Sequence, residues 1–456
     1  MSIRVEDRPE VHEPAKEDNR LAARVETGLI IAGFVGMLFL LPRLEWGDGS
    51  IRYFQLTGLL TQGTVPEEKY SMIGPLFSTP LWLIGKLVEA PSWWTLRYNP
   101  LLLMGGVAYV WFALRDRLPR PLVRRFILLL VFASMFAHHQ LGYNGEVFTA
   151  ILVLIGTVAL LRGRTRSGWL TVAVGVASTP AALPAMALMT AKWIWDVRRL
   201  RWVLAVCAAV ALVMAESWLR RGSPLATGYE ADNQGRRTIM PYSGLPGLSY
   251  PIFFGALSLI FSFGKGLLFF APGLFLPVRQ RLRHLAAGRQ LYDLWLAFVI
   301  GLLLLYGMYW SWSGSSFWGP RYLLFAAVPA AFALAVRCYQ SDASALSDLV
   351  TVVVLGLSIW VGLNGAVFGD VDVPKVCWPD GAGHYEAPIC FYTPEFSALW
   401  YPFVAGIKLL TVGQWIYLGY GLAVGAYLMA GPLLRIAGHL HTWAIPAAAR
   451  VRAFHW

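Results

Sequence analysis

Charge is scarce in this 456-residue chain: only 14% of its residues are Asp, Glu, Lys or Arg, against about 25% in an ordinary soluble domain. With 57% hydrophobic residues and a mean hydropathy of +0.54, that shortage excludes a disordered chain and argues against a soluble enzyme. Cysteine is scarce as well. Four residues in a chain of this length do not make a secreted disulfide scaffold. No secretory leader is expected. Residues 1–24 are polar and mixed in charge (Glu6, Asp7, Glu10, Glu13, Lys16, Glu17, Asp18), the apolar run begins late, and a small-residue cleavage site is lacking. Heptad, TPR-like and inverted repeats are not visible.

What the chain does have is a series of apolar runs of about 16–25 residues, the length that crosses a ~30 Å hydrocarbon layer. Lipid offers no partner to backbone N–H and C=O, so each crossing must close its own hydrogen bonds as a helix. The pattern predicts an all-α, polytopic integral membrane protein. Its spans are expected near 26–44, 99–114, 126–142, 147–161, 202–219, 251–277, 291–309, 321–338, 349–367 and 412–434. Residues 168–195 have basic loops on both sides, so they must cross an even number of times. The break at Ser178-Thr179-Pro180, with Pro184 after it, predicts two short helices or a re-entrant hairpin. The sum is about 12 crossings with both termini cytosolic. Residues 1–24 are expected to be a disordered cytosolic tail, 25–435 the transmembrane domain and 436–456 a second cytosolic tail.

The formal net charge of +12 would suggest nucleic acid in a soluble protein. Here it follows the positive-inside rule instead. Arg115, Arg117, Arg120, Arg124 and Arg125 share one short loop; Arg162, Arg164 and Arg166, then Lys192, Arg198, Arg199 and Arg201, then Arg279, Arg281, Arg283 and Arg289, fill others on the same side. The outer loops are the long, varied ones: 45–98, 220–250, 310–321 and 368–411. Loops held on a scaffold carry function, so the active face is expected to be extracytoplasmic. In 45–98, Trp46, Tyr53, Tyr70, Trp82, Trp93 and Trp94 are spaced among apolar residues, as in amphipathic helices lying at the interface.

Cys207 and Cys338 fall in apolar spans and read as buried thiols. Cys377 and Cys390 share an outer loop. A pair alone in an oxidising compartment suggests a disulfide. The alternative is a metal site with His384 as third ligand, although spacing and ligand count are wrong for a closed zinc site. Among single residues, Asp48 sits between Gly47 and Gly49, where a solvated turn aspartate is the plain reading. Lys265, within a span, must face the protein interior or snorkel. Arg321 opens a helix and would serve as an interfacial anchor. Trp310, Trp312, Phe317 and Trp318 read as an interfacial belt, with a sugar-stacking platform as the alternative. His138 and His139 point apart on a helix and read as interfacial rather than metal-binding. Glu216 and Arg220 are spaced to pair at i, i+4. Arg236 and Arg237 are available to lipid head groups.

Several segments, taken together and in order, carry a resemblance. They are Asp48-Gly49-Ser50-Ile51-Arg52-Tyr53; Lys69-Tyr70-Ser71-Met72-Ile73-Gly74-Pro75; Tyr143-Asn144-Gly145-Glu146; Gly222-Ser223-Pro224-Leu225-Ala226-Thr227-Gly228-Tyr229; Phe261-Ser262-Phe263-Gly264-Lys265-Gly266-Leu267-Leu268; and Trp318-Gly319-Pro320-Arg321-Tyr322-Leu323-Leu324. In patches over about 48–330 the chain resembles the GT-C superfamily of membrane glycosyltransferases. Within it, the likeness is to bacterial members similar to the dolichyl-phosphate-mannose mannosyltransferase and aminoarabinose-transferase group.

The resemblance implies a GT-C-like fold in a bacterial inner (plasma) membrane. It implies an inverting transfer from a polyprenyl-phosphate sugar donor to an extracytoplasmic lipid or glycan acceptor, with membrane lipids as the other partners and no nucleic acid. Asp48 takes the part of general base, especially if burial raises its pKa. Arg321, Lys265, Lys69 and Arg52 would bind the donor phosphate, and Glu146, Tyr70, Tyr322 and Trp318 the substrates. The first outer loop lacks the adjacent acidic pair of protein mannosyltransferases; Glu45 is the available neighbour of Asp48. A soluble C-terminal domain of the oligosaccharyltransferase kind is not seen either, so the acceptor stays open, as does the sugar. Relatives differ in their use of a divalent ion, and no cluster here has convincing ligand spacing, so no metal site is assigned. A lipid-linked-sugar flippase or other transporter is the alternative, and a non-catalytic assembly partner the third reading. Transporters place ionisable groups near mid-membrane in repeated halves, which this pattern does not show.

Overall fold

The structure is a computed structural model. It describes residues 19–43, 47–229, 247–315, 317–340, 343–369, 375–377, 388–405 and 410–453. Every regular element among them is helical. In chain order the α-helices are α1 (Arg20–Phe39), α2 (Asp48–Gln62), α3 (Ile73–Phe77), α4 (Thr79–Leu87), α5 (Pro91–Thr95), α6 (Tyr98–Leu114), α7 (Arg120–Phe132), α8 (Phe136–His139), α9 (Gly145–Leu161) and α10 (Thr165–Ser178). They continue with α11 (Leu183–Val197), α12 (Val203–Arg221), α13 (Ile252–Phe261), α14 (Leu267–Phe270), α15 (Ala286–Met308), α16 (Ala327–Tyr339), α17 (Ala345–Val367), α18 (Pro388–Tyr392), α19 (Tyr401–Ala405) and α20 (Val412–Ala453).

Among the described residues, six helical stretches are long and apolar enough to cross a membrane: Arg20–Phe39, Leu200–Arg221, Ala286–Met308, Arg321–Tyr339, Ala345–Val367 and Val412–His441. The other expected spans correspond to the shorter helices α6, α7, α9, α10, α11 and α13. This is a membrane protein built as a helical bundle. Arg321–Tyr339 is 89% buried and forms its centre, packed on α7, whereas Leu200–Arg221 is only 11% buried and runs along the outside. At that centre α7, α15 and α16 meet, with Phe126, Trp295 and Phe332 in mutual ring contact.

Local chemistry sets the boundaries. The Asn19 side chain caps α1 by accepting from Leu21 N at 3.0 Å. Of the two arrangements expected over 168–195, the structure has two short helices: α10 stops at Ser178, a 3-10 turn covers Pro180–Ala182, and α11 follows with Pro184 in its first turn. Between residues 47 and 97 the chain forms the short helices α2 to α5.

Some expectations differ from the structure. The run 251–277 is not one helix. It breaks after α13, where Gly264 and Gly266 admit tight backbone contacts, and Gly264 N donates to Phe391 O at 2.9 Å. Trp310, Trp312 and Trp318 are buried inside the protein rather than arrayed at its rim, and so are His138 and His139. Cys338 is buried as expected, but Cys207 is exposed on the outer face of α12. Helix α1 already includes residues 20–24, and α20 continues through the expected boundary at 435–436.

Candidate functional site

Three separate stretches of chain meet where α2 begins. Gly47, at φ +67°, turns the chain back sharply and sets Asp48 as the first residue of α2. The Arg321–Ala326 3-10 turn brings Arg321 down from the entry to α16. The 64–72 loop supplies Tyr70. Arg321 Nη1 donates to Asp48 Oδ2 at 2.6 Å and Tyr70 OH donates to Asp48 Oδ1 at 2.6 Å. The side chains of Arg321 and Asp48 are 9% and 16% exposed, so the pair is largely shielded.

The rest of the cluster is basic and aromatic. Arg52, one turn further along α2, lies over the Tyr70 ring with its guanidinium carbon 4.6 Å from the centroid. It is buried, and its Nε and Nη1 have no hydrogen-bond partner among the described residues. Buried, unsatisfied guanidinium donors are uncommon and suit an anion that is not part of the chain. Gly145 makes room for this group: a β-carbon there would stand 2.7 Å from Arg52 Nη2. The Arg321 guanidinium rests on the Phe317 ring at 4.0 Å, and its Nη2 donates to Tyr322 OH at 3.3 Å. Lys69 sits between the Tyr70 and Tyr229 rings at 5.3 and 5.2 Å.

Electrostatics fixes the protonation states. Burial acts to raise the Asp48 pKa, but the positive charges of Arg321 and Arg52 and the hydrogen bonds from Tyr70 and Arg321 outweigh it and hold it at about 2. The carboxyl is therefore ionised throughout the neutral range, a reversal of the raised value that would favour a resting base. Burial, together with the Asp48 carboxylate, drives the Tyr70 phenol well above its ordinary range, so it remains a donor.

The other expected site residues are placed around this cluster in different ways. Lys265 is buried at the break after α13, 3% exposed. Its Nζ donates to Phe317 O and to Gly319 O, bracing the loop that precedes Arg321. Glu146, in the first turn of α9, lines a cavity of ≈20 Å³ with Thr149, Thr179, Tyr306 and Tyr322, room for little more than one water. Tyr322 joins the two places, lining the cavity and bonding Arg321. Trp318 is 1% exposed, donates to Asn364 Oδ1 at 2.8 Å and packs on His138 at 4.7 Å, away from any open surface. Glu45, Trp46, Arg236, Arg237 and His384 lie outside the described residues.

Cys377 and Cys390 are joined, with Cα atoms 5.8 Å apart. The stretch that follows the bridge abuts the turn that carries Lys265: Phe391 O accepts from Gly264 N at 2.9 Å and Ser397 Oγ donates to Phe263 O at 2.8 Å. No group of three His, Cys, Asp or Glu side chains that could hold a metal ion occurs among the described residues.

Sequence reasoning missed how the 64–72 loop is held. The i, i+4 pair Glu216–Arg220 is present at 3.0 Å, but its main work is at long range. Arg220 donates to Pro66 O, Glu68 O and Tyr70 O at 2.9, 2.8 and 2.7 Å; Glu216 accepts from Ser71 Oγ at 2.8 Å and Met72 N at 2.6 Å. Arg221 adds a bond to Glu67 O at 3.0 Å. A charge pair at the end of a span was the available signal; main-chain carbonyls as its destination left no trace in the sequence.

Neither the known protein-family models nor the curated proteins contain a match to this chain. Among solved structures, it is similar to the crystal structure of ArnT from Cupriavidus metallidurans bound to undecaprenyl phosphate. The TM-score is 0.52 at 14% sequence identity, over 91% of this chain and 78% of that one. The likeness shows that this chain shares the fold of that protein.

Proposed function

We propose that this protein is a GT-C-type glycosyltransferase that moves a sugar from a polyprenyl-phosphate donor to a hydroxyl on an extracytoplasmic cell-envelope acceptor. The observation that carries the reading is the Asp48–Arg321–Tyr70 cluster with the unsatisfied guanidinium of Arg52 beside it. Its position in a fold shared with a protein crystallised with undecaprenyl phosphate supports it.

The chemistry asks little of the leaving group. A lipid phosphate departs readily from an anomeric carbon once its developing charge is matched. In our reading Arg321 and Arg52 do this by charge-assisted hydrogen bonds, with Lys69 nearby and Lys265 acting indirectly through the 317–319 loop. As the donor phosphate engages Arg321, Asp48 exchanges an ion pair for a negative neighbour, and its proton affinity rises. The carboxylate then takes the acceptor hydroxyl proton while that oxygen attacks the anomeric carbon from the face opposite the phosphate. The C–O bond to the phosphate breaks, the lipid phosphate leaves with the bonding pair, and configuration inverts. Tyr70, a donor at neutral pH, orients the carboxylate. The small cavity beside Glu146 and Tyr322 is the place for the acceptor or the sugar after local opening, and bacterial inner membrane with an outward-facing site is the setting this implies.

Purified protein in liposomes, given radiolabelled polyprenyl-phosphate sugars and cell-envelope acceptors, tests the reading. Transfer by the wild type and a loss of about 10²–10⁴-fold in Asp48→Asn are expected. Transfer undiminished in that variant removes Asp48 as base, and absence of transfer from every polyprenyl-phosphate sugar overturns the assignment.

A further inference from the structure

A second charged site lies at the other end of the bundle. Helix α1 starts there, α7 starts there and α16 ends there. At ~1.5 Å of rise per residue, the length of α16 and its entry turn separates it widely from Arg321. Between α1, α7, the end of α16 and α20 is a cavity of ≈420 Å³, within the size range of small-molecule sites and far roomier than the one beside Glu146. Its lining includes Glu26, Arg124, Arg125, Tyr339, Tyr427 and Arg435.

The cations are built in from behind. Glu26 is 1% exposed and accepts from Arg124 Nε at 2.6 Å, Arg125 Nε at 3.3 Å and Tyr427 OH at 3.1 Å. Arg125 Nη1 also donates to Cys338 O at 2.8 Å. Arg435 is anchored on the buried Asp348, Nη2 to Oδ1 at 2.8 Å. Among the described residues the lining thus holds one carboxylate and three guanidinium groups, and Asp348 stands outside it. Each guanidinium carries five N–H donors. Those of Arg125 and Arg435 are only partly used by these contacts, and both side chains remain partly exposed, at 30% and 22%. Apart from Asn19 the rest of the wall is mainly apolar, including Ala22, Leu428 and Pro432.

We infer that this cavity is a binding site for a phosphate group carried by an anionic ligand, with Arg125 and Arg435 as its direct contacts and Glu26 and Asp348 as the residues that position them. Fixed guanidinium forks at a membrane helix boundary, with an apolar wall alongside, match the head group and glycerol region of an acidic phospholipid. A soluble phosphate is the other source of the same chemistry. The site is independent of the proposed transfer reaction, which no residue of this cavity enters.

Full-length protein, stripped of co-purified lipid in a zwitterionic detergent, is titrated with dioctanoyl phosphatidylglycerol, dioctanoyl phosphatidylcholine or inorganic phosphate. Thermal unfolding and native mass spectrometry are the readouts. Two variants are compared with the wild type. Arg125→Gln/Arg435→Gln removes the contacts. Gly431→Trp fills the cavity and keeps every charge; a β-carbon at Gly431 meets only Arg435 Nη1, at 3.8 Å. Saturable protection by phosphatidylglycerol over phosphatidylcholine, weakened about tenfold or more in both variants, is expected. The same variant-sensitive protection by inorganic phosphate alone supports the site and assigns it to a soluble ligand. Should one variant fail to fold, the other decides alone. Protection that is equal in wild type and variants, or absent with both anions, overturns the inference.

Discussion

At the scale of single residues, one carboxylate, Asp48, is shared by the Arg321 guanidinium and the Tyr70 phenol. The resemblance pointed to Asp48, Tyr70 and Arg321 separately. It gave no distance between them, and Asp48 and Arg321 are 273 residues apart in the chain. Nor could sequence fix the sign of the pKa shift. Burial alone would raise it, and only the positions of Arg321 and Arg52 bring it to about 2. The sign has consequences for pH. A carboxyl whose folded pKa lies below its unfolded value of 3.8 stabilises the fold above that value, and the contribution is lost as pH falls from 3.8 through about 2. In activity, kcat/KM reports the free enzyme, so its Asp48 limb should lie below pH 3 or so; kcat reports the complex, where the phosphate has taken Arg321, so that limb should stand at higher pH. A pH series on a working transfer assay checks this, and coincident limbs would count against exchange of partners by Arg321. Hydropathy misled in a different way at Trp310, Trp312 and Trp318. Rim and interior offer tryptophan similar apolar surroundings, so composition cannot tell them apart; only packing against His138, Phe270 and Phe391 does.

At the scale of elements, turn chemistry was readable and tertiary bracing was not. Prolines marked the α10–α11 break, because they cannot continue a helix from both sides. The break after α13 escaped notice because a long hydropathy window averages Gly264 and Gly266 into apolar neighbours. Its meaning appears only in three dimensions: the turn abuts the stretch that follows the Cys377–Cys390 bridge, and Lys265 within it holds the 317–319 loop in front of Arg321. On the other side, the end of α12 holds the loop that carries Tyr70. Arg220→Ala removes three carbonyl contacts at once and should let Tyr70 drift from Asp48. We expect kcat/KM to fall by about 10-fold to 10²-fold, with far-ultraviolet circular dichroism unchanged. An Arg220→Ala enzyme with wild-type kinetics would show that the loop is held by other means.

At the scale of the whole molecule, the helical membrane architecture was legible from the length and spacing of apolar runs, and motifs in the right order carried the resemblance to a family of the same helical kind. The number of crossings was less so: six helices qualify by length and composition among the described residues, and the remainder are shorter, α7 and α9 packed inside and α13 largely exposed. The Lys and Arg bias between loops gives an expected orientation. It predicts that a cysteine at Gly63, after α2, is labelled by a membrane-impermeant maleimide in intact cells, and that one at Gly163, between α9 and α10, is labelled only after permeabilisation. The reverse pattern would put the Asp48 cluster on the cytosolic side and remove the extracytoplasmic acceptor. The most direct test of the central claim is the affinity of the purified protein for undecaprenyl phosphate, compared between wild type and Asp48→Asn. If the carboxylate and the lipid phosphate compete for Arg321, the variant binds the lipid about tenfold more tightly while losing transfer. Unchanged or weaker binding in Asp48→Asn would contradict the account.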